Sequence, residues 1–235
     1  MEVLERGERL IQHALAGIDV NFFDLASCLR HGFPAERIFR LLESDDFQHV
    51  YLGLLTLSET YTDSLCRISE RLTDVIAERI EFFQDNAITH CGLEAIARFA
   101  SIENTHAVWL LLSYLESDFA EPVFHFLESV DNNLMEAVKN YLLRVNPVSK
   151  HLKAIQFFLE HCEDIVAVEQ ALDHPEVVMQ RYAAAMAFRF FDSSNTIRDK
   201  LGNIQDDLVQ WVFDRRNSLD LFGNPALAKS QSDFF

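Results

Sequence analysis

Apolar residues recur along this chain at steps of three and four, the spacing that lines one face of an α-helix. Four stripes stand out: Phe47, Val50, Tyr51 and Leu54; Ile88, Cys91, Ala95, Ile96 and Phe99; Leu134, Val138, Tyr141, Leu142 and Val145; Met179, Ala183, Met186, Ala187 and Phe190. Each follows polar residues able to accept from the free N–H groups of a first helical turn: Asp45-Asp46, Asp85-Asn86, Asp131-Asn132 and His174-Pro175-Glu176. The openings at Asp45, Asp85, Asp131 and His174 lie 40, 46 and 43 residues apart. A shorter amphipathic run precedes each opening, from Pro34, Asp74, Glu121 and Asp164, and Leu41-Leu42-Glu43-Ser44 nearly recurs as Phe126-Leu127-Glu128-Ser129. A further helical stretch follows each, over residues 63–71, 106–116, 148–163 and near Ile197. The repeating unit is a short helix, an acidic turn, a longer helix and a connector.

The flanks differ, as the ends of a stack of repeats do. Residues 1–33 predict two helices, 3–16 and 22–30, stopped at Gly17-Ile18-Asp19 and at His31-Gly32-Phe33-Pro34. Residues 192–216 predict closing helices, the last over 205–215 with Leu208, Val209, Trp211, Val212 and Phe213 close together. Residues 217–235 form a tail, flexible or docked on the surface by Phe222, Phe234 and Phe235. The expected organisation is a single domain over 1–216, with repeats at 34–191.

Composition narrows the class. Only 7 glycines and 5 prolines serve 235 residues, too few for the tight turns of a β-sandwich or a doubly wound sheet. The expected class is all-α. A short helix, an Asp-containing turn and a second helix rich in Ala and branched residues resembles the HEAT-repeat family, most closely at residues 174–188. There Pro175 opens the helix, and Met179-Gln180 stand before the paired Ala183 and Ala184. The resemblance covers residues 34–191 and implies a right-handed α-solenoid of about four irregular repeats. His174 breaks the family's Asp series, and no Arg recurs two turns on in every unit.

Charge redirects the functional question. With 37 Asp plus Glu against 20 Lys plus Arg, the net charge is −17, and the mean field repels nucleic acid and anionic lipid. No apolar stretch is long enough to span a membrane, and the charged N-terminal sequence does not read as a signal peptide. Cys28, Cys66, Cys91 and Cys162 lie far apart among apolar neighbours, which suits reduced thiols in the cytoplasm.

Candidate chemistry is thin. Glu103-Asn104-Thr105-His106 is a single Glu-x-x-His where a di-iron centre needs two. Cys28 with His31, His90-Cys91 and His161-Cys162 lack the paired spacing of a zinc site. No phosphate-binding glycine loop occurs. Neither catalytic residue, metal nor cofactor is expected.

Carboxylates gather instead at the inter-helix turns: Glu43, Asp45, Asp46, Asp85, Glu116, Asp118, Glu121, Glu128 and Asp131. Capping accounts for many of them, and turns aligned in a solenoid would also sum them into an acidic ridge. The expected function is a non-enzymatic protein-binding module for a basic partner, in the manner of an immunity protein neutralising a nuclease. The alternatives are a HEAT-like enzyme with a concave pocket, similar to bilin lyases or DNA-alkylation glycosylases, and a structural scaffold. A glycosylase needs a basic strip, for which Arg30, Arg37 and Arg40, with Arg189, Arg198, Arg215 and Arg216, are the candidates.

Overall fold

The computed structural model describes residues 2–60 and 62–221, with side chains as far as Arg216, so the expectations for the tail at Phe222, Phe234 and Phe235 lie outside the described residues. Among the described residues the chain is all-α: helices and short 3-10 turns form, and no strand does. No helix among them is long and apolar enough to cross a membrane. The chain divides into two compact units, Met1–Leu110 and Leu111–Phe235.

The first unit contains α1 (Glu2–Leu15), α2 (Phe22–Arg30), α3 (Phe39–Leu42), α4 (Phe47–Ser58), α5 (Asp63–Arg67), α6 (Ser69–Phe83) and α7 (Asn86–Phe99). The expected caps form at two of the acidic turns. Asp46 accepts from the Gln48 N–H at 2.8 Å, and Asp85 accepts from Ala87 and Ile88 at 2.8 and 3.2 Å. One boundary differs from the sequence expectation. The connector over 63–71 breaks at Ile68, and its second half joins the run from Asp74 as the 15-residue α6. Val75, Ile76 and Ile80 bury one side of this helix, and Leu72 extends the same stripe back before Asp74.

α3 packs on α4 and α6 on α7, and α4 lies beside α7 pointing the same way. Arg98, in the last turn of α7, donates to the Ser58 carbonyl at the end of α4 at 2.6 Å. At the other end Phe47 of α4 meets Phe83 of α6 edge-on, with ring centroids 6.2 Å apart. The two hairpins share a further device. Seven residues after Asp46 comes Gly53, and seven after Asp85 comes Gly92; each faces the helix before it. A Cβ on Gly53 would sit 2.8 Å from the Leu42 Cδ2, and one on Gly92 would sit 2.7 and 2.8 Å from two carbons of Ile80.

α8 (Thr105–Ser113) carries the chain from the first unit to the second. The second unit continues with α9 (Glu121–Ser129), α10 (Asn132–Val145), α11 (Lys150–His161), α12 (Ile165–Ala171), α13 (Val177–Phe188), α14 (Asn195–Leu201) and α15 (Asp207–Leu221). Asp131 caps α10, Asp164 caps α12 and Asp206 caps α15. The fourth opening behaves differently: the His174 ring nitrogen accepts from the Glu176 N–H, and α13 starts at Val177 without a side-chain cap. α13 is the central helix of this unit, packed against α9, α11 and α12, while α10 packs on α11. Every residue from Tyr182 to Phe188 is buried, and the short side chains of Ala183, Ala184, Ala185 and Ala187 let several helices approach one axis.

His151 of α11 meets Tyr182 in this core, with ring centroids 6.1 Å apart. Only 4% of His151 is exposed, and burial, aided by Lys150, lowers its pKa to about 4. Its proton therefore binds the unfolded chain more readily, and stability is lost as pH falls from the ordinary histidine value of 6.5 towards 4. The full span corresponds to about 3 kcal/mol. We expect His151→Phe to flatten the stability profile between pH 6.5 and 4.5 in urea titrations; a profile as steep as the parent's would refute this assignment. For the glycines, alanine adds up to about 1 kcal/mol of helix propensity, whereas overpacking costs about 1–3 kcal/mol. Gly92→Ala, which strikes two atoms of a β-branched neighbour, should lower stability by about 1–2 kcal/mol. Gly53→Ala comes under 3 Å only to the flexible end of Leu42, with Leu42 Cγ at 3.3 Å and Leu41 Cβ at 3.4 Å next, and should stay within about 0.5 kcal/mol of the parent.

Candidate interaction surface

The nine turn carboxylates divide by what they bond. Asp46, Asp85 and Asp131 are spent on helix N-termini. Glu43 pairs with Arg71, Glu116 with Lys150 and Glu128 with Arg216. Asp45 pairs with Arg79 at 3.4 Å, and Glu121 with Arg215 at 2.8 Å. Asp118 is exposed in the turn ahead of α9.

The structure gathers them into local groups. In the second unit, Glu121 and Glu128 share the face of α9 where the consecutive arginines of α15 dock. Burial pushes the Glu128 carboxyl above its usual range, against the opposing pull of Arg216 and Arg189. In the first unit, the Glu43–Asp46 turn adjoins the turn at Asp85. Arg79 reaches from α6 to the Ser44 carbonyl and to Asp45, both at 3.4 Å, and Phe47 touches Phe83. Asp45 nevertheless leaves 86% of its side chain to solvent, so it is available to a partner while Asp46 is not.

Around this corner lies a group of rings, of which Phe47 and Tyr51 belong to the first apolar stripe and Phe82 and Phe83 to the end of α6. Phe47 stacks on Tyr51 at 5.8 Å, and Phe83 meets Phe82 edge-on at 4.9 Å. Phe82 is 59% exposed, and the Arg79 guanidinium sits 5.4 Å from its ring centre. Consecutive residues on a helix point about 100° apart, and on α6 it is Phe83, not Phe82, that turns towards the neighbouring helices, leaving Phe82 exposed. The outer row of α6 was missed by sequence reasoning. Glu70, Asp74, Glu78 and Phe82 follow at steps of four, all exposed. Starting the helix at Asp74 left Glu70 outside it and hid the row.

The basic candidates are engaged within the fold. Arg37 and Arg40 share Glu8 at 3.2 and 2.8 Å, and Arg30 donates to the Glu59 carbonyl at 3.0 Å. Arg189 donates to the carbonyls of Leu127, Glu128 and Val130, and Arg198 bonds Asp192 and the Phe191 carbonyl.

The chemical candidates also resolve into structural bonds. Glu103 accepts from the Ser101 hydroxyl at 2.7 Å, which lowers its pKa, and His31 bonds the Ser27 carbonyl. His90 lies near Glu94, and His161 near Glu160 and Asp164. Burial pushes the thiols of Cys28 and Cys91 up. Among the described residues, no group of three His, Cys, Asp or Glu could hold a metal ion. Ser44 Oγ lies 2.8 Å from His49 Nδ1 and accepts from the Asp46 N–H, closing the turn ahead of α4. An open cleft of about 310 Å³ lies beside α12, α13 and α14. Its Lys200 is bonded to Asp173 and the Glu169 carbonyl, and its Gln180 to the Leu172 carbonyl.

Comparison of the chain with protein-family models, with curated proteins and with solved structures finds no match. Surface chemistry therefore carries the functional assignment. The division between structural and available carboxylates is measurable in denaturant. Asp46→Ala removes a helix cap and should cost about 1 kcal/mol. Asp45→Asn removes only an exposed, long ion pair and should cost less than about 0.5 kcal/mol. Equal losses would overturn the division.

Proposed function

We propose that this protein is a non-enzymatic binding module for a basic protein partner. The observation that carries the proposal is the corner of the first unit, where exposed carboxylates flank a half-exposed aromatic cluster. Aromatic rings supply contact area at little entropic cost, and surrounding carboxylates select for Lys and Arg and steer their approach. A HEAT-like solenoid of about four repeats is the arrangement that would align all the acidic turns on one edge. Its support is strongest across α3 to α7, where two hairpins with the same cap-to-glycine spacing lie side by side. Neutralisation of a nuclease-like protein by covering its nucleic-acid surface is the specific form proposed, supported by a net charge of −17. A reducing, cytoplasmic setting is proposed on the strength of the free thiols of Cys28, Cys66, Cys91 and Cys162.

The test begins with a pull-down from native extract, which should yield a basic protein in stoichiometric amount whose affinity falls as salt rises. Asp45→Lys combined with Glu81→Lys, both exposed positions outside the caps, should weaken that complex at least about tenfold and flatten its salt dependence. Recovery of an acidic partner, or an affinity unmoved by the double reversal, would sink the proposal.

A further inference from the structure

The outer face of α6 carries an acidic row in which only Glu70, in the first turn, is favoured by the helix dipole. Glu70, Asp74 and Glu78 stand one turn apart, and like charges at this spacing destabilise a helix by a few tenths of a kcal/mol per pair. None of the three has a Lys, Arg or His ion-pair partner among the described residues; both arginines of α6 are committed elsewhere, Arg71 to Glu43 and Arg79 to Asp45. Both ends of the row are apolar and exposed. Phe82 closes it on one side. On the other, Ile102, 51% exposed, belongs to the 3-10 turn Ile102–Asn104, which packs on α6. That turn is fixed in place by Asn104, itself buried, whose amide donates to the Glu70 carbonyl at 2.8 Å and approaches Asp74 at 3.5 Å. The row is thus held on a rigid helix rather than on a loop.

Resting on the binding function proposed above, we infer that this face seats a basic α-helical segment of the partner, with one cation on the outer face of Phe82 and others opposite Glu78, Asp74 and Glu70. Four residues of helix advance about 6 Å, so cations at every fourth position of a partner helix match the row from Glu70 to Phe82 over its length of about 18 Å. Within the chain Arg79 already places its guanidinium over Phe82 at 5.4 Å. A second cation on the exposed side of the ring gains quadrupole attraction, with Glu78 one turn away to pair with it. Apolar contacts at Ile102 and Phe82 fix the ends of the segment and set its register, which carboxylates alone do not do.

Two helix-forming peptides of equal composition test this against the full-length protein by calorimetry. One carries Arg at positions i, i+4, i+8 and i+12, and the other distributes the same four arginines around the helix. The registered peptide should bind at least about fivefold more tightly, and Phe82→Ala should remove about two- to fivefold of its affinity, the worth of an exposed cation–π contact. Asp74→Asn with Glu78→Gln should reduce the salt dependence without altering the helical circular dichroism signal. Equal binding of the two peptides, or indifference to Phe82→Ala, overturns the inference. If Phe82→Ala and Asp74→Asn with Glu78→Gln leave the natural partner's affinity unchanged while Asp45→Lys with Glu81→Lys weakens it, the binding function stands and this seat for it fails.

Discussion

An α-helix leaves its last carbonyls without partners inside the helix, and glycine in the left-handed conformation is the usual means of turning the chain back to satisfy them. This chain has few glycines, and only Gly17 and Gly32 take positive φ among those described, with Gln84 forced to φ 48° after α6. Several other helix ends are closed instead by cations from neighbouring helices. Arg98 and Arg30 bond the end of α4, Arg189 the end of α9, Lys200 the end of α12 and Arg216 the end of α13. Each bond is charge-assisted, of a kind worth about 1.5–3 kcal/mol, and each also fixes where one helix stands along another. Arg181 performs this for three elements at once, bonding the Leu115 carbonyl from α13 and pairing with Asp206, the cap of α15.

That device shapes the surface. Helix starts consume aspartates, helix ends consume arginines, and the arginines in short supply are drawn inward. The negative surplus remains outside, but much of it is tied to caps and ion pairs. What distinguishes the outer row of α6 is that its carboxylates serve neither purpose. The working surface thus follows from the structural use of charge: a partner competes most readily for groups the fold has left uncommitted or, like Asp45, holds only through a long, exposed pair. On α9 the equivalent positions are already filled by Arg215 and Arg216, so that face is closed by the chain itself.

Much of the helical order was legible because stripes at 3.6-residue period and Asp caps are local signals. α2 begins and ends where the pattern places it, and Asp46, Asp85 and Asp131 cap as their positions indicate. The joining of two predicted segments into α6 was less visible, since Ile68 interrupts the chain without Gly or Pro. The central role of α13 was not visible at all: a helix buried on every side has no contrast between faces, and its alanines resemble those of a repeat. The site was half legible. Acidity at the turns could be read directly, but which acids were committed depended on arginines as far as 94 residues away, as for Arg215 and Glu121. Exposure of Phe82 depended on which side of α6 faced α7.

Amide hydrogen exchange of the intact protein, free and in complex with its basic partner, tests the central claim most directly. Slowed exchange confined to the Glu43–Phe47 turn and residues 70–85 and 102–104 is the result expected if the uncommitted acidic and aromatic face of the first unit is the working surface. Protection confined to α9 and α15, or to the cleft beside Lys200, would contradict it.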